Sequence, residues 1–453
     1  MFGGKVQAGL IGGALLAAYI LSPGHALAAD LGKGDAADLE ERVAELEATV
    51  ARKGNRVVSF AIAGQVNESM FFWDDGRDSD AYVVGNTSSQ SLINFRGEAK
   101  ISPTLKAGYY IELGVWSEAS FLVSQDSDEG AGAFSDNVAI RHNMFYIEDD
   151  RFGRISLGET SPATDSIAEI NLARTVIVRS IGSQLWSGGF EPVDRDTGIR
   201  SGNLRFRDMW GGNGTQGIGD TNRYDVIKYD SPSVAGFKVS ASWGENDFWD
   251  VALRYAGLWG QFKVAAGVGY SKWTDSATGG IGGGGGSESC IVGANLHTDC
   301  SDLGMSAGIM HVPTGLFAHV AYGLKTDDNA QTAFFAGEED DTSDTIYIQA
   351  GIEKNWFGVG PTTIFGEYQK INSGYFNTFN PVANTGSTVG GAETEIWGVG
   401  VNQNFASAAL DMYVSYRNIS SEADILARGG GEPTGKLEFE DFQEVLAGAR
   451  IQF

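Results

Sequence analysis

The stretch Asp441 to Phe453, DFQEVLAGARIQF, decides how the chain is built. Taken every second residue, Val445, Ala447, Ala449, Ile451 and Phe453 share one face, and Glu444, Gly448, Arg450 and Gln452 share the other. Leu446 is the one apolar residue in the polar row. A period of two is a strand with one oily and one wet side. A sandwich strand alternates in the same way, so the rest of the chain must say which side meets a core.

Working back to the start of the sheet, Val58, Phe60, Ile62 and Val66 oppose Ser59, Ala61, Gln65 and Asn67. Ile93, Phe95, Ala99 and Ile101 then oppose Asn94, Arg96, Glu98 and Lys100, and Ala107, Tyr109, Ile111, Leu113 and Val115 oppose Lys106, Tyr110, Glu112 and Trp116. The apolar row is unbroken while the other carries ions. A soluble barrel fills its inside with apolar side chains; this order is inverted and fits an oily exterior around a water-filled interior.

Connection lengths carry the same reading. Tight turns fall at Ser102–Thr104, Asp149–Arg151, Ser231–Gly236, Gly257–Gly260, Val312–Gly315, Asn355–Pro361 and Phe405–Ser407. Between them lie long polar stretches at Ser117–Asn137, Thr160–Thr221, Ser271–Asp302, Lys325–Asp344, Lys370–Gly391 and Ile419–Glu440, with only Glu245–Phe248 short on that side. Counting between them predicts an all-β transmembrane barrel of about sixteen antiparallel strands, with both ends on the short-turn side. No repeat of propeller length is visible.

Composition agrees. The chain has 63 glycines in 453 residues, roughly twice the usual share, and no apolar run beyond the N-terminus long enough for a spanning helix. A net charge of −26 speaks against a nucleic-acid partner, which needs a cationic surface. Residues 1–28, with Lys5, an apolar run and the Ala26, Leu27, Ala28 end, read as a secretory signal peptide. Residues 29–53 hold Ala36, Leu39, Val43, Leu46 and Val50 at heptad spacing. Leu39, Val43, Leu46 and Val50 are the expected contact row of a short helix between subunits, or one face of a lone amphipathic helix. The barrel is expected over 54–453. Cys290 and Cys300 are expected to close one loop as a disulfide in an oxidising compartment, free thiols being the alternative, and His297 alone cannot complete a zinc site.

Family likeness enters with longer motifs. The closing Phe453 resembles the terminal aromatic of bacterial outer-membrane barrels, which implies a mark read by the barrel-assembly machinery. Phe152–Glu159, FGRISLGE, resembles the turn and strand before the third loop of general porins, and Asn222–Gly236, NRYDVIKYDSPSVAG, followed by Phe237, resembles their strand and Ser-Pro turn. The heptad segment followed by ARKGNRVVS, with WDDG at Trp73–Gly76 and IAEINLAR at Ile167–Arg174, narrows the likeness to alpha-proteobacterial porins. The resemblance implies a homotrimer in the outer membrane of a Gram-negative bacterium, set in lipid and lipopolysaccharide. It also implies long extracellular loops, periplasmic turns and termini, and a third loop, 160–221, folded into the pore.

A passive pore needs a constriction lined by fixed charges rather than a nucleophile, metal or cofactor. Glu159, Asp165 and Glu169 are the expected acidic side; Arg96, Lys106, Arg154 and Arg254 the basic side, with Arg141 nearer the outer mouth. Any one of them reads equally as half of an ordinary ion pair. The acidic clusters Asp74, Asp75, Asp78, Asp80 and Glu338, Glu339, Asp340, Asp341, Asp344 are solvated loop charge or, alternatively, bound calcium or divalent bridges to lipopolysaccharide. The expected function is passive diffusion of small hydrophilic solutes and ions. A barrel enzyme would need a usable histidine, and only His142 is placed near the lumen. A substrate-selective channel, or a loop-plugged structural barrel or adhesin, is the remaining alternative.

Overall fold

The computed structural model describes residues 58–453 apart from 116–117, 129–137, 179–180, 183, 203, 212–216, 245–246, 275–298, 329–340, 375–377, 380–387 and 427–432. Its strands in chain order are β1 (Ala61–Asp74), β2 (Ser79–Gly85), β3 (Leu92–Lys100), β4 (Leu105–Val115), β5 (Val138–Asp149) and β6 (Gly153–Thr160). After the long connection come β7 (Tyr224–Asp230), β8 (Phe237–Gly244), β9 (Trp249–Trp259), β10 (Phe262–Trp273), β11 (Cys300–His311), β12 (Leu316–Asp327) and β13 (Thr342–Lys354). The last are β14 (Thr362–Ser373), β15 (Thr378–Phe379), β16 (Thr388–Phe405), β17 (Leu410–Leu426), β18 (Pro433–Glu438) and β19 (Phe442–Gln452).

Three of these are hairpin extensions rather than wall. β2 pairs with the outer half of β1, β15 with two residues of β16, and β18 with the far end of β17. The other sixteen form one antiparallel sheet closed on itself, because β1 pairs with β3 through Ala61–Gln65 and with β19 through Gln65–Asp74. At the seam Gly64 and Phe453 exchange backbone hydrogen bonds of 2.9 and 3.0 Å. Closure leaves no wall strand with an unpaired edge, the condition for crossing lipid with strands. No described helix is long and apolar enough to cross a membrane.

Alternation sorts the side chains as the sequence suggests. Ile62, Val66, Met70 and Phe72 stand on the outside of β1 while Gln65, Asn67 and Ser69 are covered inside. On β17, Met412 and Val414 face out and Tyr413, Ser415 and Arg417 face in. The short connections lie where the tight turns were read, except that β9 runs through Gly257 to Trp259 and turns at Gly260. The inward face departs from a uniformly wet lining. Phe71, Trp73, Phe365, Ile396, Phe442 and the odd Leu446 point inward and join one buried apolar cluster with residues of the 160–221 segment. An inward apolar residue needs a partner away from water, and that segment supplies it.

Candidate functional site

The long connection leaves the wall after Thr160 and returns at Tyr224, and its two ends are stitched to β7–β9. Thr164 donates from its backbone N and its Oγ1 to Asp250 at 2.6 and 2.7 Å, and its Oγ1 lies 2.9 Å from that of Thr221. Arg254 gives both Nη groups to the carbonyls of Ala163 and Asp165, at 2.6 and 2.8 Å, and Lys228 Nζ reaches those of Ser161 and Pro162. These lumen-row cations hold the loop by its backbone. They satisfy carbonyls that would otherwise be buried without partners.

Beyond the clasp the loop crosses to β10–β14. Ile167 and Ile170 lie over Gly267 and Gly269, and the backbone at Ile218 and Gly219 lies against Gly304 and Gly323. A Cβ at Gly304 would sit 1.7 Å from the Gly219 carbonyl oxygen, and one at Gly323 2.0 Å from that of Ile218. Only bare backbone on the inner wall permits so close an approach. Further on, Asn171 and Thr175 donate to Gln349 at 2.9 and 2.7 Å, Gln369 donates to the Ile181 carbonyl at 2.9 Å, and Asn402 to that of Arg174 at 2.8 Å. Trp186 is fully covered, its ring 5.0 Å from the Arg417 guanidinium, which lies between Glu367 and Glu444 at 3.3 and 3.4 Å. The segment then rises to the end of the barrel that carries the long connections. There Arg200 takes Asp75, Asp78 and Asp126 at 3.7, 3.1 and 2.8 Å, and Arg195 takes Glu438 at 3.1 Å.

The opposite lumen wall, β3–β6, carries an ion-pair ladder. Lys106 lies 3.2 Å from Glu98 and 3.4 Å from Glu148, and Arg154 lies 3.1 Å from Glu148 with its guanidinium 3.7 Å from the Tyr146 ring centre. Arg96 stands on the lumen row of β3, paired in register with Tyr110. Higher up, Arg141 meets Glu112 at 2.8 Å, and Glu112 also accepts from Tyr110. Arg223, just before β7, donates from Nε to His142 Nε2 at 3.2 Å, and His142 Nδ1 lies 3.1 Å from Thr160 Oγ1. A wall of cations answered by their own carboxylates offers polar groups of both signs to a passing solute, rather than one sign alone.

The expected acids separate into two groups. Asp165 and Glu169 lie in the loop, within electrostatic reach of Asp220. Burial, with those two carboxylates close by, holds the Asp220 carboxyl well above the ordinary range, although its Oδ1 accepts from the backbone N of Ser166 and Thr221 at 2.5 and 3.0 Å. Glu159 is a correction. Arg154, Ser156 and Thr160 are the covered, inward residues of β6, so Glu159 falls on the outward row with Ile155 and Leu157, in register with Asn143 and Asp225. Five residues from Arg154 is an odd step, and a period of two forbids both from facing the lumen.

Arg254 is in the lumen but serves the loop clasp, and Arg141 sits toward the end of β5 that follows the 117–137 connection. Asp250, Lys228 and Arg223 were not singled out in the sequence. The signal for the first two was present, since Asp250 and Lys228 fall on the polar parity of their strands. Of the acidic clusters, Asp75 and Asp78 have an arginine as counter-ion, and Asp344 accepts from Asn372 at 3.1 Å. Cys300 opens β11, fully covered beside Trp273, Val226 and Phe248. Cys290, Glu338, Glu339, Asp340, the 1–28 segment and the heptad row Leu39, Val43, Leu46 and Val50 lie outside the described residues.

The model of the Gram-negative porin family matches residues 14–424. Among solved structures, the anion-selective porin from Comamonas acidovorans is similar over 87% of this chain and 100% of its own, at 15% identity and a TM-score of 0.54. OmpT, an outer membrane protein of Vibrio cholerae, aligns over 88% of this chain and 99% of its own at 15% identity and a TM-score of 0.49. The outer membrane channel DcaP of Acinetobacter baumannii aligns over 88% and 99% at 10% identity and a TM-score of 0.49. At such identities the Comamonas likeness speaks for the fold alone. No curated protein matches the sequence.

Proposed function

The chain belongs to the Gram-negative porin family and is an outer-membrane channel; from that premise we propose that solutes pass between the 160–221 loop and the β3–β6 wall. The observation that carries this reading is the ion-pair ladder of Arg154, Glu148, Lys106 and Glu98 on the inner face of a barrel whose outer face is apolar. Charged groups there replace part of the water that a small hydrophilic solute or ion sheds on entry. The channel carries solutes down their gradients, and its chemistry is sieving rather than bond making. Asp165 and Glu169 are the proposed loop side of the constriction, and Arg96, Lys106, Arg154 and Arg141 the wall side; Arg254 shapes it indirectly by gripping the loop.

Several finer assignments belong to the same proposal. The likeness to alpha-proteobacterial porins supports a homotrimer, with Leu39, Val43, Leu46 and Val50 of the 29–53 segment as a contact between subunits. The 1–28 segment is the proposed signal peptide, and 54–453 the barrel, with both termini periplasmic and the long loops outside, among lipopolysaccharide. Phe453 is the proposed mark for barrel assembly. Cys290 and Cys300 are proposed to form the disulfide, which the complete burial of Cys300 favours.

A second reading has its own support. The apolar cluster of Leu172, Ile177, Leu185, Trp186, Phe206 and Trp210 with inward wall residues fills part of the lumen, as a plug would. Purified protein in a planar bilayer distinguishes the two. Steady ohmic steps at neutral pH are the expected result, whereas inserted protein that shows no steps identifies a closed structural barrel.

A further inference from the structure

β2 and β3 pair with the same edge of β1, β2 through Glu68–Asp74 and β3 through Ala61–Gln65. Between them residues 86–91, NTSSQS, leave the sheet and enter the lumen, with a single 3-10 turn at Thr87–Ser89. A backbone that leaves a ladder must find new partners. Inward side chains supply them. Asn67 donates to the Ser89 carbonyl and Gln65 to that of Gln90, both at 2.8 Å, while Asn86 Oδ1 accepts from the Ser88 amide at 2.9 Å. The step is a built part of the wall rather than a frayed end.

The segment grips the far part of the 160–221 loop. Asn86, fully covered, gives its Nδ2 to the Ile177 carbonyl at 2.9 Å and to the Tyr413 hydroxyl at 2.8 Å. Ser88 Oγ accepts from Trp186 Nε1 at 3.0 Å. Ser120 Oγ accepts from Thr87 N at 3.1 Å and donates to the Leu185 carbonyl at 2.5 Å. Tyr413 belongs to β17, and its hydroxyl donates to Asn67 of β1 at 2.6 Å, so the loop is moored beside the seam where the barrel closes. On its other side the segment reaches the β3–β6 wall. There Gln90 Oε1 accepts from Arg141, and Gln90 Nε2 lies 2.1 Å from where a Cβ on Gly114 would stand. Residues 86–91 thus bridge from the loop to the wall that lines the passage.

We propose that 86–91 is a stay that holds the far part of the loop clear of the passage, with Asn86 as the positioning residue. The proposal rests on the channel reading and adds to it what keeps the passage open. The stem of the loop is held by charged side chains of β7–β9, whereas this mooring consists of neutral hydrogen bonds shielded from water. A buried carbonyl deprived of its donor costs more than the bond itself contributed. Ile177 belongs to the buried apolar cluster, so its carbonyl, once freed from Asn86, meets water on the passage side. The loop follows it there, and the passage closes for as long as the loop leans in.

The test is single-channel recording of the full-length protein in a planar bilayer, with wild type beside N86S, S88A and T87V. N86S keeps an oxygen for the Ser88 amide but does not reach Ile177. S88A removes the acceptor of Trp186, and T87V alters the same turn at a side chain bonded to Ser120 rather than to the loop. Wild type and T87V should give quiet steps. N86S should show brief closures about tenfold more often, and S88A a smaller increase in the same direction. N86S closures no more frequent than wild type, or T87V closures as frequent as those of N86S, would overturn the proposal while leaving the channel standing. Where N86S does not assemble, S88A decides alone, and quiet S88A steps overturn it. Absence of steps in wild type would remove the channel reading and the stay with it.

Discussion

Asp220 shows how far one side chain can depart from its ordinary chemistry inside this lumen. Its carboxyl is held well above the usual value near 3.8 because it is buried with Glu169 and Asp165 beside it, and the proton is therefore bound more tightly folded than unfolded. Stability gained this way is present at low pH and declines as the pH rises from the ordinary carboxylate value into the shifted range. D220N stays neutral and keeps an acceptor oxygen for the Ser166 and Thr221 amides. Its unfolding midpoint in denaturant, followed by tryptophan fluorescence, should exceed wild type at neutral pH and lose the downward slope. An unchanged slope would show that another group carries it. Residues such as Arg154, Lys106 and Arg96 were legible in the sequence because strand parity alone places them. Arg223 was not, since it lies just before a strand, where parity has no meaning, and Glu159 is a carboxylate on the outward row of β6, which its charge alone does not reveal.

Among the elements, the loop and the β10–β12 wall are fitted to each other through missing side chains. Gly304 and Gly323 lie under Gly219 and Ile218 at backbone contact, and Gly219 N also donates to Asp302 at 2.7 Å. G323V would place carbon where the Ile218 carbonyl stands, and overpacking of this kind costs about 1–3 kcal/mol when neighbours can shift. The wall strands are held by paired neighbours on both sides, so the loop is what yields, and the expected outcome is a barrel that still assembles but has larger or noisier conductance steps. A G323V channel with wild-type steps would mean the loop does not set the narrowest point. The abundance of glycine suggested close packing somewhere. It did not say where, because which glycines meet depends on a contact between segments about a hundred residues apart. The apolar pieces Ile167, Ile170 and Leu172 did announce that the loop would seek a wall. The inward Phe71 and Trp73, whose rings meet Phe190 of the loop, were hidden by the alternation that defined the sheet, which treats every inward position as wet.

For the whole molecule, the strand count, the inversion of faces and the unequal ends were readable from period and spacing, because closure of a sheet in lipid leaves few other ways to satisfy the backbone. The mouth on the long-connection side was not readable. It is tied by Arg200, which draws together Asp75 and Asp78 between β1 and β2 and Asp126 between β4 and β5, and by Arg195 on Glu438 of the last long connection. These contacts are partly exposed, and charges in water fade over about 10 Å at 0.1 M salt but over about 3 Å at 1 M. Electrophysiology is customarily done in concentrated electrolyte, and the vestibule seen there should be unlaced compared with the one in dilute buffer. Conductance divided by bulk conductivity should therefore climb between those two salt concentrations in wild type, and R200Q should already show the higher quotient in the dilute buffer.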